Sequence, residues 1–114
     1  MINATKNNVL SSNTILGPDY VGCYTDDRQR VLPDADYEDG LMTVRSCIQF
    51  CSNLTTPMRY AGVESSSECF CGTEGADYGR LGESKACDYV CGGDDGEICG
   101  GHWAVSIYDR KYHQ

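Results

Sequence analysis

Eight cysteines in 114 residues, spaced C-x23-C-x3-C-x17-C-x-C-x15-C-x3-C-x7-C from Cys23 to Cys99, constrain this chain more than any other feature. A core of this size stabilises a fold only marginally, and an even cysteine count at this length marks a disulfide framework. Each bridge contributes roughly 2–4 kcal/mol, so several together outweigh the shortfall. Paired cysteines persist in oxidising compartments, so the chain is expected to be secreted, extracellular or displayed at a cell surface. Asn3-Ala4-Thr5 and Asn53-Leu54-Thr55 fit the N-glycosylation pattern and point the same way, with Asn3 and Asn53 as the expected acceptors.

No cationic segment followed by an apolar run opens the chain, and no stretch has the length and apolarity of a membrane span. It therefore reads as a mature or excised piece of a longer parent, with no membrane insertion of its own. Seventeen acidic against nine basic residues give a net charge of −8. That balance disfavours nucleic acid and anionic membrane as partners and leaves neutral ligands open.

Residues 1–19 carry no cysteine and read as an arm or linker, with Val9, Leu10, Ile15 and Leu16 as its large apolar groups. Tyr20–Tyr24 reads as a strand, Arg30–Pro33 as a short second strand ended by proline, and Asp34–Asp39 as a polar loop. That loop is acidic enough to raise calcium, but Gly40 falls one place late and Arg45 stands where an EF-hand has its glutamate. From Met42 to Leu54 apolar positions recur at three- and four-residue intervals behind Thr43, which predicts one helix with Thr43 as its cap. Tyr60–Glu64 and Glu68–Gly72 read as strands around a Ser65-Ser66-Ser67 turn, and Trp103–Tyr108 as a last strand with Trp103, Val105 and Ile107 on one face. Residues 73–86 read as a surface loop, and the glycine-rich stretch from Cys87 to Gly101 as a segment held by cross-links. Cys47 and Cys51 lie about 6 Å apart along a helix face, Cys69 and Cys71 about 6.6 Å apart along a strand, which predicts two helix-to-sheet bridges.

With those residues laid out, the chain closely resembles the WSC domain over about residues 20 to 108. Beyond the cysteines, the resemblance rests on Gly22-Cys23-Tyr24, Arg30, Leu32, Met42-Thr43-Val44, Tyr60-Ala61-Gly62-Val63-Glu64, Glu68-Cys69-Phe70-Cys71-Gly72, Ile98-Cys99-Gly100-Gly101 and Val105-Ser106-Ile107-Tyr108. It implies a small disulfide-rich α+β domain, taken as 20–109, with one helix packed on a twisted antiparallel sheet of the PAN/apple type; residues 110–114, a C-terminal tail, lie outside the motif. It also implies the pairs Cys23 with Cys87, Cys47 with Cys69, Cys51 with Cys71, and Cys91 with Cys99. Family members are regarded as carbohydrate-binding or wall-adhesion modules, so the resemblance implies a non-catalytic module for a cell-wall or matrix polysaccharide of β-glucan or mannan type.

Sugar recognition needs aromatic faces plus groups that donate to and accept from hydroxyls. Phe50, Tyr60 and Phe70 are expected in the core, while Tyr37, Tyr78 and Tyr89 in polar or glycine-rich segments are the preferred stacking residues. Trp103 suits either sheet packing or an exposed platform. Asp36, Glu64 and Asp88 are candidate acceptors, and Arg80 a candidate donor. Catalysis is not expected: Asp26-Asp27 and Asp94-Asp95 are adjacent pairs rather than facing ones, and neither His102 nor His113 has a recognisable nucleophile beside it. Cys47-x3-Cys51 and Cys87-x3-Cys91 fall within zinc-ligand spacing, but the resemblance and the sequons favour disulfides, and no metal or cofactor is expected. The rival reading is a protein-interaction or self-assembly module that uses exposed aromatics, or an N-terminal arm adding to a neighbour's sheet edge.

Overall fold

In a computed structural model of the chain, residues 19–110 are described. The expected arm, apart from Asp19, lies outside them, as do Asn3 and the tail beyond Arg110. The order is β1 (Asp19–Thr25), β2 (Ala35–Glu38), α1 (Val44–Ser52), β3 (Tyr60–Glu64), β4 (Glu68–Gly72), β5 (Val90–Cys91), β6 (Asp94–Ile98) and β7 (Ala104–Asp109). Among the described residues a five-stranded antiparallel sheet runs β1-β7-β3-β4-β2, and β5 and β6 form a separate hairpin. The domain is a small disulfide-rich α+β unit.

Thr43 caps α1 in a reciprocal pair: Ser46 N–H donates to Thr43 Oγ1, and Thr43 N–H donates to Ser46 Oγ, each at 3.0 Å. The next amide, Val44 N–H, donates to Glu97 Oε1 at 3.2 Å, so the β5–β6 hairpin shares in the cap. The helix turns Val44, Cys47 and Cys51 onto the sheet. Disulfides join Cys47 to Cys69 and Cys51 to Cys71, and two more join Cys23 to Cys87 and Cys91 to Cys99, which is the pairing the family resemblance implies.

The sheet is covered on both faces, which is why every residue of β3 is buried. Ala61, Val63, Cys69 and Cys71 face the helix, and Tyr60, Phe70, Val105 and Ile107 form a second core on the other side with Val31 and Leu32. Residues 30–33 thus form a packing loop rather than the expected strand. Leu32 drops onto the sheet because Gly62 and Gly72 leave room: a Cβ at either would lie 2.8 Å or 2.7 Å from its methyls. The edge strand is instead Ala35–Glu38, inside the expected polar loop, paired with β4 so that Asp36 stands opposite Phe70 and Glu38 opposite Glu68.

The glycine-rich segment folds as the β5–β6 hairpin, docked by Gly93 N–H to Met42 O at 2.8 Å and Gly92 N–H to Ser66 O at 3.0 Å. A Cβ at Gly93 would stand 2.1 Å from Leu41 O, so this approach admits only glycine. The last strand starts one residue later than expected, after Trp103.

Candidate functional site

Trp103 does not pack with Val105 and Ile107. Its φ is +51°, in the left-handed region, and the ring stands 41% exposed beside the sheet. Its carbonyl accepts from Asp26 N–H at 3.0 Å, which ties it to the loop after β1. Ser65 and Ser66, in the β3–β4 turn, also have positive φ, 53° and 72°. Ser65 Oγ donates to Gly101 O at 3.3 Å, so the three unusual backbones meet at one end of the sheet. Non-glycine residues in this region carry strain of order 1 kcal/mol or more each, and such residues concentrate at functional sites.

Beneath Trp103 lies Arg30. Its guanidinium stands between two rings, 4.5 Å from the centre of Phe70 and 5.1 Å from that of Trp103. Nη1 donates to Asp26 Oδ2 at 3.1 Å and lies 3.6 Å from Glu64 Oε2. Asp26 Oδ1 accepts Val31 N–H at 2.9 Å, which fixes the loop that carries Arg30. A notch of about 200 Å³ opens here, walled by Arg30, Glu64, Ser65, Glu68, His102 and Trp103.

Its floor is acidic. Glu38, Glu68 and Glu64 stand opposite one another across β2, β4 and β3. Glu64 is 1% exposed, and its Oε1 has no hydrogen-bond partner among the described residues. Burial first, then a hydrogen bond with Asp26 and that carboxylate's charge, push its pKa up to about 9, against a smaller opposing effect of Arg30. At neutral pH Glu64 is therefore a neutral acid. Burial also raises the pKa of Glu68, opposed by Arg30.

The sequence candidates separate in space. Trp103 and Glu64 meet in the notch, although Glu64 is buried where an exposed acceptor was expected, because both sheet faces are covered. Tyr37 lies in β2 and packs on Phe50, ring centres 4.4 Å apart, instead of standing on a loop. Tyr78, expected at the surface, is wedged between Tyr24 and Tyr60 at 5.1 Å and 5.0 Å. Tyr89 and Asp88 are exposed but outside the notch. Arg80 donates to Gln29 O and lies 3.5 Å from Asp27 Oδ1, lining a neighbouring groove with Asp36 and Arg30. Sequence reasoning missed Arg30, Asp26, Ser65, Glu68 and His102 as site residues. Of these Arg30 and Glu68 left a trace, as part of the family motif.

The notch offers donors, acceptors and one aromatic face. The sulfurs of Cys47, Cys51 and Cys69 lie within 4.8 Å of one another, but each belongs to a disulfide and supplies no thiolate to a metal. Of the acids of 34–39, Asp34 accepts Thr73 N–H, Asp39 accepts Leu41 N–H and Glu38 accepts the Ser67 hydroxyl, around the β2 strand.

The profile of the WSC domain matches residues 20–101. The chain belongs to the WSC domain family. A WSC domain-containing protein of Arthroderma benhamiae is 33% identical over 105 residues, which cover 89% of this chain and 14% of that protein. Human Kremen protein 2 is 34% identical over 94 residues, 81% of this chain and 20% of its own length. The xylosyltransferase oxt of Drosophila melanogaster is 35% identical over 92 residues, 78% of this chain and 10% of its own. This WSC domain therefore spans a fifth or less of those relatives. All eight of its cysteines are paired, as suits an oxidising compartment, and no described helix is long and apolar enough to cross a membrane.

Proposed function

We infer that this WSC domain, taken as residues 20–109, is a non-catalytic extracellular module that binds a neutral cell-wall or matrix polysaccharide of β-glucan or mannan type. The reading is carried by Trp103: a half-exposed indole, held at positive φ over Arg30, forms one wall of a notch whose other walls are polar. An indole face packs on the C–H surface of a pyranose, and Ser65, His102 and Glu68 exchange hydrogen bonds with its hydroxyls. Tyr89 and Asp88 lie outside this set, and Tyr37 and Tyr78 serve packing. One notch holds little of a polymer, so binding by a single copy is weak and gains from repetition along a parent chain. Trp103→Ala should abolish retention on insoluble β-glucan or mannan while the domain stays folded, its thermal midpoint lowered by the lost stacking on Arg30. Undiminished retention of that variant defeats the reading.

A second reading, protein interaction or self-assembly, is favoured by a different observation. Val90 and Ile98 face each other across the β5–β6 hairpin at 49% and 41% exposure, and Leu41 is 73% exposed. Light scattering separates the two, since Val90→Ser with Ile98→Ser should lower oligomeric mass and leave sugar binding unchanged if this hairpin assembles. Asn53, exposed just past α1, is the proposed glycosylation site among the described residues. Expression in a secretory host should add an enzymatically removable glycan mass to its peptide.

A further inference from the structure

We propose that the notch under Trp103 is one end of a longer track that holds consecutive units of a single polysaccharide chain, with Arg30 as the wall shared between subsites. This rests on the glycan reading above and specifies how much of the glycan is held.

Arg30 lines the notch and also two neighbouring depressions, of about 580 Å³ and about 320 Å³. The notch, at about 200 Å³, falls below the roughly 300–1,000 Å³ of ordinary small-molecule sites, whereas the larger groove lies inside that range. The two meet across one side chain. Asp36 in the groove stands opposite Phe70 in register, and Phe70 carries the Arg30 guanidinium that Trp103 covers from the notch side.

The groove has the chemistry of a hydroxyl-binding surface. Arg28 and Arg80 supply donors, Asp36 supplies an acceptor, and exposed Pro33 supplies an apolar face. Arg28 makes no hydrogen bond or ion pair within the described residues, so its five donors are available. Two of the three arginines that line the groove are already paired, Asp26 lying 3.1 Å from Arg30 and Asp27 3.5 Å from Arg80, which leaves Arg28 and Asp36 to meet sugar hydroxyls.

Titration calorimetry with β-1,3-linked gluco-oligosaccharides and with manno-oligosaccharides of one to six units tests the track. In the series that binds, affinity should rise by about tenfold or more from the disaccharide to the tetrasaccharide. Arg28→Ala and Asp36→Ala should each remove most of that gain and leave disaccharide affinity within about twofold. Both side chains are exposed, so an unchanged thermal midpoint verifies that the variants fold. Affinity independent of length, or a gain that survives both substitutions, overturns the track while the notch stands, provided Trp103→Ala still abolishes binding. Binding untouched by Trp103→Ala, or no binding at any length, overturns the glycan reading and the track together.

Discussion

At the scale of single residues, Glu64 and Trp103 decide the character of the site. Glu64 keeps its proton in the folded domain up to about pH 9, against 4.5 for the same group in water. The native state therefore binds a proton that the unfolded chain releases, and stability falls as pH rises between those values. Glu68, raised in the same direction by burial, adds to the slope. Glu64→Gln removes the larger contribution, so thermal unfolding of the variant should depend visibly less on pH across this window. A slope equal to that of the parent domain would show that Glu64 is ionised when folded. Trp103→Gly relieves the positive φ and loses the stacking on Arg30, two effects of order 1 kcal/mol that oppose each other. Its midpoint should stay close to that of the parent while glycan retention disappears.

At the scale of elements, the helix and the hairpin depend on each other. Thr43 and Glu97 both satisfy the first amides of α1, one from the adjacent residue and one from β6. Thr43→Ala should cost about 1 kcal/mol, measured by chemical denaturation. The hairpin is pinned where it rejoins the sheet by Gly100, whose φ is +64° and whose Cβ would lie 2.5 Å from both Ala104 O and Val63 O. Gly100→Ala is expected to destabilise by several times as much as the lost cap, since both backbone strain and a main-chain clash oppose it. The same two substitutions made together should add if β7 and α1 respond independently.

For the whole molecule, four covalent loops of different length restrain the unfolded chain. Cys91–Cys99 closes a separation of 8 residues and Cys23–Cys87 one of 64. On loop-closure entropy the longer bridge contributes about 4 kcal/mol and the shorter about 2.5 kcal/mol when each acts alone. Replacing the Cys23–Cys87 pair by serine should therefore lower stability more than replacing Cys91–Cys99, with the order read from denaturation midpoints. The central bridges from α1 to β4 lie in the core on the face of the sheet opposite Leu32.

The sequence by itself determined the presence of a disulfide framework, its two helix-to-sheet bridges, the capped helix, the β3–β4 pair and the family resemblance that implied the full cysteine pairing, because cysteine spacing, three-to-four periodicity and turn composition are readable along the chain. It also marked Trp103 as a candidate platform. Only the tertiary structure decided which candidates share a site. Tyr37 and Tyr78 sit in polar surroundings in the chain, yet Phe50, Tyr24 and Tyr60, distant in sequence, claim their rings. Arg30, inside an apparent strand, reaches the notch because Asp26 folds its loop back and two sheet glycines admit Leu32. The neutrality of Glu64 comes from burial between two covered faces, a property of packing that no local pattern encodes.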